Sequence, residues 1–226
     1  MTLTIDIISL LPEIIEPTLE YGVVGRAYQN DLFKIKFWNP RSYTSDRHHT
    51  VDARPFGGGP GMVMMYEPLK ATLDDITAFR GSRGKRIFLS PQGETLSQAF
   101  LREHVGADHL VILCGRYEGI DQRIIDTEID MELSIGDYVL SGGELAASVV
   151  LDGLVRLIPG ALSNHESHEN DSFSVEGLLD HPHYTRPRVI NNLAVPEVLF
   201  SGDHKKIAAW RLNEAKKKTA LKQKKE

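Results

Sequence analysis

Three glycine-bearing segments each follow a run of β-rich apolar residues. They are Leu89-Ser90-Pro91-Gln92-Gly93, then Cys114-Gly115-Arg116-Tyr117-Glu118-Gly119-Ile120-Asp121, then Ser134-Ile135-Gly136-Asp137-Tyr138-Val139-Leu140-Ser141-Gly142-Gly143-Glu144. In a parallel α/β sheet, ligands bind just beyond the carboxyl ends of the strands. Glycines there let backbone N–H and C=O groups approach a ligand closely, because no Cβ intervenes. A single such segment is explained by a tight bend that needs positive φ. Three in succession, each with polar and aromatic company, point to one composite pocket.

A fourth cluster is Asp46-Arg47-His48-His49-Thr50-Val51-Asp52-Ala53-Arg54-Pro55-Phe56-Gly57-Gly58-Gly59-Pro60-Gly61-Met62. Charged side chains beside a glycine-proline run suit gripping a phosphate and a base together. A merely solvated loop has no use for the glycines, which cost chain entropy and bury nothing. A fifth feature is Arg156, set among Leu154, Val155, Leu157 and Ile158 and followed by the polar stretch Asn164 to Phe173, which carries Asp171. An arginine there needs a partner or an anionic ligand, unless it snorkels from the outer face of a helix.

Several chemistries are absent. No G-x-G-x-x-G follows a strand and no G-x-x-x-x-G-K-[ST] occurs, which excludes the usual dinucleotide fingerprint and the P-loop. His165 and His168 flank Glu166 but do not make H-E-x-x-H, and no cysteine accompanies them. That stretch reads as a polar loop, and no metal site is expected. The one cysteine, Cys114, ends the run Leu110-Val111-Ile112-Leu113 and reads as a buried, inert thiol. A disulfide framework within the chain is excluded.

The elements that must hold these residues follow from periodicity. Ile5–Leu11, Lys34–Trp38, Arg86–Ser90, His109–Cys114 and Met131–Ile135 read as strands. Glu13–Asn30, Pro68–Phe79, Leu96–Val105, Gln122–Thr127 and Gly142–Ile158 read as helices, with Pro91-Gln92-Gly93 a turn and 41–62 a long loop. Strands that alternate with helices, several of them continuous apolar runs, imply an α/β fold with a parallel sheet covered on both faces. From Pro159 to about Pro187 the chain turns polar and irregular; Val195–Leu199 and a helix from Lys205 onward form a small helical C-terminal lobe. The expected division is 1–160 as the α/β domain, 161–176 as a linker or lid, and 177–226 as the C-terminal domain.

The net charge of −5 over 226 residues does not advertise a nucleic-acid binder, but its distribution does. Residues 203–226 hold nine Lys or Arg against three acids, a tail of +6 on a body of −11. A basic tail on an acidic body suits contact with a polyanion. The start of the chain has no basic leader, Asp6 interrupts its apolar run, and no apolar run is long enough to span a bilayer. A cytoplasmic protein without membrane contact is expected.

Taken together, ten segments resemble the bacterial tRNA (guanine-N1)-methyltransferase family, TrmD, of the knotted SPOUT superfamily. In this chain they read IISLLPE, YGVVGRA, DRHHTVDARPFGGGPGMVM, LSPQGETL, LCGRYEGIDQR, SIGDYVLSGGE, IPGAL, DSF, EGLLDHPHYTRP and VPEVLFSGDH, all lying between residue 5 and about residue 211. The resemblance implies a deep C-terminal trefoil knot in a parallel sheet, and homodimers whose active sites use both subunits. It implies S-adenosyl-L-methionine as methyl donor, held largely by main-chain groups, and tRNA as partner. The donor contacts fall by motif on Leu89, Ser90, Pro91, Gly115, Tyr117, Glu118, Gly119, Ile135, Gly136, Asp137, Tyr138, Val139, Leu140, Gly142 and Gly143. The catalytic pair falls on Asp171 and Arg156, and target guanine binding on His48, Asp52 and Gly59. The family also brings Mg²⁺ into view; Asp171, Glu118 or RNA phosphates would hold a hydrated ion, with no dedicated carboxylate cage. Many relatives continue after Trp210-Arg211-Leu212 with a further helical segment, whereas this chain becomes Lys-rich.

The implied reaction explains the residue types. The neutral N1 of guanine has a proton and no free lone pair, so a general base must remove that proton, and Asp171 is the candidate. Negative charge then spreads toward O6, where Arg156 would stabilise it. Two rival readings are a tRNA-binding relative without catalysis and a knotted methyltransferase for another RNA. The first requires degraded glycine turns or a missing Asp, and neither is seen. The second does not account for the DRHHTVDARPFGGGPGM loop.

Overall fold

The computed structural model describes residues 2–162, 171–174 and 177–224. The chain divides into two compact units, Met1–Ser163 and Asn164–Glu226. The first is built on a five-stranded, wholly parallel sheet of β1 (Leu3–Ile8), β2 (Phe33–Trp38), β5 (Lys85–Thr95), β6 (His109–Cys114) and β7 (Met131–Ser134), in the order β2-β1-β6-β5-β7.

Alternation along the strands divides the core in two, because successive side chains point to opposite faces. Ile5, Ile7, Ile87, Leu89, Leu110, Ile112 and Cys114 pack on one face. There α1 (Gly22–Gln29), α3 (Gln98–His104) and α5 (Glu144–Val155) supply Ala27, Leu101, Val150 and Leu154. Ile8, Phe88, Val111 and Leu113 face the other way, against Leu69, Leu73 and Ile76 of α2 (Tyr66–Arg80) and Ile124 of α4 (Gln122–Glu128). Both faces are covered, as expected of continuous apolar strands.

Three local expectations are corrected. The helical spacing over 13–30 does not give one helix: 3-10 turns occupy Pro12–Ile14 and Glu16–Leu19, and α1 starts only at Gly22. Pro17 has no N–H to give a helix interior, and Gly22 adopts φ +70°. The expected turn at 91–93 lies inside β5, which resumes its pairing beyond it. The loop 41–62 contains a 3-10 turn, Pro40–Tyr43, and its second half is the connection of a short antiparallel ribbon, β3 (Asp52–Ala53) with β4 (Val63–Met64).

In the second unit β8 (Val189–Ile190) and β9 (Leu193–Ala194) form a hairpin. Its Asn191-Asn192 turn has φ of 50° and 64°, the pair of left-handed residues that a tight hairpin requires. α6 (His204–Gln223) begins at Asp203, whose side chain accepts from the N–H groups of Lys205 and Lys206. No helix among the described residues is long and apolar enough to cross a membrane.

Candidate active site

The carboxyl ends of β6, β5 and β7, three neighbours in the sheet, open into one cavity of about 320 Å³. All three glycine-bearing segments line it. In the first, Leu89 and Glu94 of β5 both stand opposite Leu133 of β7, so Ser90–Gly93 bulge out of the ladder. Ser90 Oγ braces the bulge by accepting from Gln92 N at 3.1 Å. Only glycine fits at position 93, where a Cβ would lie 2.3 Å from the Glu132 carbonyl carbon.

The second segment leaves β6 through Tyr117 and Gly119, with φ of 61° and 135°, and closes with Gly119 N donating to Arg116 O. In the third, Ser134 Oγ accepts from Gly136 N, and Tyr138 N donates to Gly136 O at 2.9 Å. That tight bend turns Asp137 outward, so Asp137 is off the cavity wall while every other expected donor contact is on it. Gly143 N donates to Gly115 O at 2.9 Å, which ties the third segment to the second.

Beneath the cavity lies a polar lock absent from the sequence-based expectation. Glu144, the first residue of α5, is 1% exposed. It takes both an Arg116 Nε–H contact at 3.1 Å and the Ser9 hydroxyl at 2.8 Å. A buried carboxylate is tolerable only when charge-paired and hydrogen-bonded, and here it is both. It also stands at a helix N-terminus, where negative charge is favoured. The available signal was an acid opening an otherwise apolar helix. Burial pushes the adjacent Cys114 thiol well up, with the Glu144 charge adding to it, as befits an inert cysteine. Gln122, Glu132 and Ala146 also line the cavity and were not anticipated. Glu132 Oε2 is buried and has no hydrogen-bond partner among the described residues.

The His- and Gly-rich loop reaches the same cavity edge. Glu118 N donates to Met62 O, Met64 N to Gly119 O, and Asp121 N to Met64 O. Gly61 must lack a side chain, because a Cβ would strike Glu118 at 2.3 Å. Asp52 interacts with the Tyr117 phenol, which Arg41 contacts at 3.4 Å; burial first, then the Asp52 charge, raises the Tyr117 pKa. His48 sits in a turn organised by Asp46, which accepts from His48 N, Thr50 N and the Thr50 hydroxyl. The Thr50 hydroxyl bond leads the effects that hold Asp46 below the usual carboxylate range. Gly59, at φ 112°, has open space about it, and Phe56 is fully exposed.

Arg156 is elsewhere. It caps the C-terminus of α5, whereas Gly143 and the cavity are at the N-terminus. Twelve helical residues separate them, about 18 Å. Asp171 belongs to the second unit, in a turn where Ser174 N donates to its carbonyl. Ser172 Oγ accepts from Asp180 N, and Lys222 of α6 lies over the Phe173 ring. His165 and His168 lie outside the described residues.

Comparison with known proteins gives one answer. The family model described as tRNA (Guanine-1)-methyltransferase TrmD matches residues 3–225. The chain belongs to this family. Among its relatives is the tRNA (guanine-N(1)-)-methyltransferase of Hydrogenovibrio crunogenus, 54% identical over 91% of this chain and 86% of that protein. Those of Pasteurella multocida (52% identical, 96% and 88% covered) and Pseudomonas fluorescens (54%, 94% and 85%) are comparably similar. The parallel α/β sheet of this TrmD-family chain agrees with the fold that the resemblance implied.

Proposed function

We propose that this TrmD-family enzyme transfers the methyl of S-adenosyl-L-methionine to N1 of the guanosine at position 37 of tRNA, beside the anticodon. The observation that carries the reading is the convergence of three glycine-bearing segments on one cavity at the strand carboxyl ends. Its walls offer main-chain N–H and C=O groups suited to an adenosine, and the carboxylates of Glu118 and Glu132 suit a positively charged sulfonium. The unpartnered Glu132 Oε2 is an acceptor that such a ligand would satisfy. When bound, the donor supplies an electrophilic methyl on sulfur.

The chain's own groups do the rest. Asp171 takes the N1 proton, and Arg156 stabilises charge at O6 with a planar pair of donors. The α5 geometry gives this pairing a condition. An arginine about 18 Å along the helix from its own cavity serves a cavity on a second copy. The exposed apolar side chains Leu145 and Val149 on α5, with Leu11 and Ile14 at the 3-10 turn that packs beside that helix, suit the covered face of a homodimer. The trefoil knot belongs to the same reading, on the strength of the family match. His48, Asp52 and Gly59 would meet the target nucleotide, and the second unit with its basic α6 would grip the tRNA. Asp171, Glu118 or the RNA phosphates would hold a hydrated Mg²⁺. A cytoplasmic location completes the reading.

The test is direct. Purified protein is incubated with methyl-labelled adenosylmethionine and an unmodified tRNA transcript carrying G37, and the product is mapped by nucleoside mass spectrometry. N1-methylguanosine at that position is expected. Labelling at a ribose or at another base would replace the reading, and no labelling would end it.

A further inference from the structure

We infer that Asp180, His181 and His183 form a binding site for one divalent ion of the zinc class. The three side chains each offer a ligand atom, and these atoms lie within 4.8 Å of one another. His183 Nε2 is 2.7 Å from Asp180 Oδ2, and His181 Nε2 is 3.8 Å from Asp180 Oδ1. Tetrahedral zinc with bonds of about 2.0–2.1 Å sets its ligands roughly 3.3 Å apart. The two observed separations fall on either side of that value and end on the two different oxygens of Asp180, so side-chain rotation has to bring the three ligand atoms onto one ion.

The tautomer of His181 favours the assignment. Its Nδ1 stands 3.0 Å from the Pro182 carbonyl oxygen, an acceptor only, so Nδ1 carries the proton. In the neutral tautomer that this bond selects, Nε2 offers its lone pair toward the Asp180 carboxylate, the side a cation would occupy. A backbone carbonyl on the far nitrogen is also the usual device that orients a metal-ligating imidazole. Asp180 is held in place independently, since its Oδ1 accepts from His181 N at 2.7 Å and its own N–H binds Ser172 Oγ at 3.0 Å.

Loading the ion at His183 Nε2 moves that ring's single proton to Nδ1, so that both imidazoles bind as neutral ligands; a ring protonated at both nitrogens first gives one proton to solvent. Two nitrogens and one oxygen suit Zn²⁺, Co²⁺ or Ni²⁺, whereas Mg²⁺ takes oxygen ligands. The fourth position stays open to water. Through Ser172 the ion would stiffen the turn that carries Asp171, but the site stands whether or not the chain methylates tRNA.

The full chain, stripped with a chelator, is titrated with Zn²⁺ by calorimetry and with Co²⁺ by visible absorption. One ion per chain is expected, with a four-coordinate cobalt spectrum and no competition from millimolar Mg²⁺. His181→Ala and His183→Gln should each weaken binding tenfold or more, with unchanged circular dichroism; the glutamine keeps a hydrogen-bonding group toward Asp180. The wild-type chain gives an independent readout, because the Trp210 ring is 6.3 Å from that of His181 and bound Co²⁺ should quench it. Absence of stoichiometric binding, or of tryptophan quenching on cobalt addition, would overturn the proposal. So would binding that both variants retain and that His165→Ala with His168→Ala abolishes.

Discussion

At the residue scale, the proposed chemistry rests on two side chains with separable roles. Asp171→Asn removes the proton acceptor and leaves the donor cavity intact, since Asp171 belongs to a different unit from the glycine segments. Turnover should fall by 10²-fold or more, while adenosylmethionine affinity, read by calorimetry, stays within about twofold. Arg156→Lys should fail comparably in single-turnover assays, because a point charge does not replace a planar fork. Asp6 is a residue of another kind. It is fully buried in β1 and bonded to Trp38 Nε1, Arg80 and His109. Burial pushes its pKa up, but the hydrogen bonds from His109, Arg80 and Trp38 outweigh it and hold the value at about 2. A carboxylate depressed on folding contributes stability above its unfolded pKa, and that contribution disappears as pH falls through the folded value. The advantage of wild type over Asp6→Asn, measured by urea unfolding, should therefore be constant near neutrality. It should shrink by about 2 kcal/mol between pH 4 and pH 2. An advantage that is flat across that window would remove the charge from the account.

At the element scale, the bulge in β5 makes the first wall of the cavity and depends on one missing methyl group. At Gly93 an added Cβ would meet the Glu132 and Leu133 backbone at 2.3 Å, and backbone cannot rotate aside. Gly93→Ala should cost about 1–3 kcal/mol in chemical denaturation, as overpacking does. It should also weaken donor binding, since Ser90, Pro91 and Gln92 are carried on the displaced bulge. Gly106→Ala is the matched control, with nothing within 4 Å of its Cβ, and should change neither. The contrast shows what was legible in the sequence. Strand positions, the three glycine segments and the alternation that splits the core were readable, because they are local signals of period and residue type. The return of β5 to its ladder after Gly93 was not, because it depends on a partner strand forty residues later. Pro17 was a visible breaker that apolar spacing outweighed. The Ser9–Arg116–Glu144 lock joins residues 135 positions apart, which no periodicity reveals. Asp137 shared the composition of its neighbours, and only the bend at Gly136–Tyr138 set it apart.

At the scale of the whole molecule, charge is divided between the last 24 residues and the rest of the chain, and the division makes a prediction. The last 24 residues hold +6, opposite to the −11 of the rest, and α6 exposes Lys205, Lys206, Arg211, Lys216, Lys217 and Lys218. An acidic body repels a polyanion in general, so tRNA affinity has to come from a basic surface that overcomes the repulsion locally. Each phosphate neutralised by such a surface releases condensed counterions, and the logarithm of the binding constant falls linearly with the logarithm of salt concentration. Replacing Lys216, Lys217 and Lys218 by Gln removes three positive charges from the exposed surface of α6 without touching the buried Ala215. If all three meet phosphates, the slope of that plot should become shallower by roughly 2 to 3. Affinity at 50 mM salt should then fall far more than affinity at 300 mM. Binding of adenosylmethionine, whose proposed site is lined by the first unit, should stay unchanged. Filter-binding or fluorescence titrations over a salt series give the slope directly. An unaltered slope would place the tRNA contact on the loop of His48 and Arg54 in the first unit and leave α6 as a helix that serves its own unit alone.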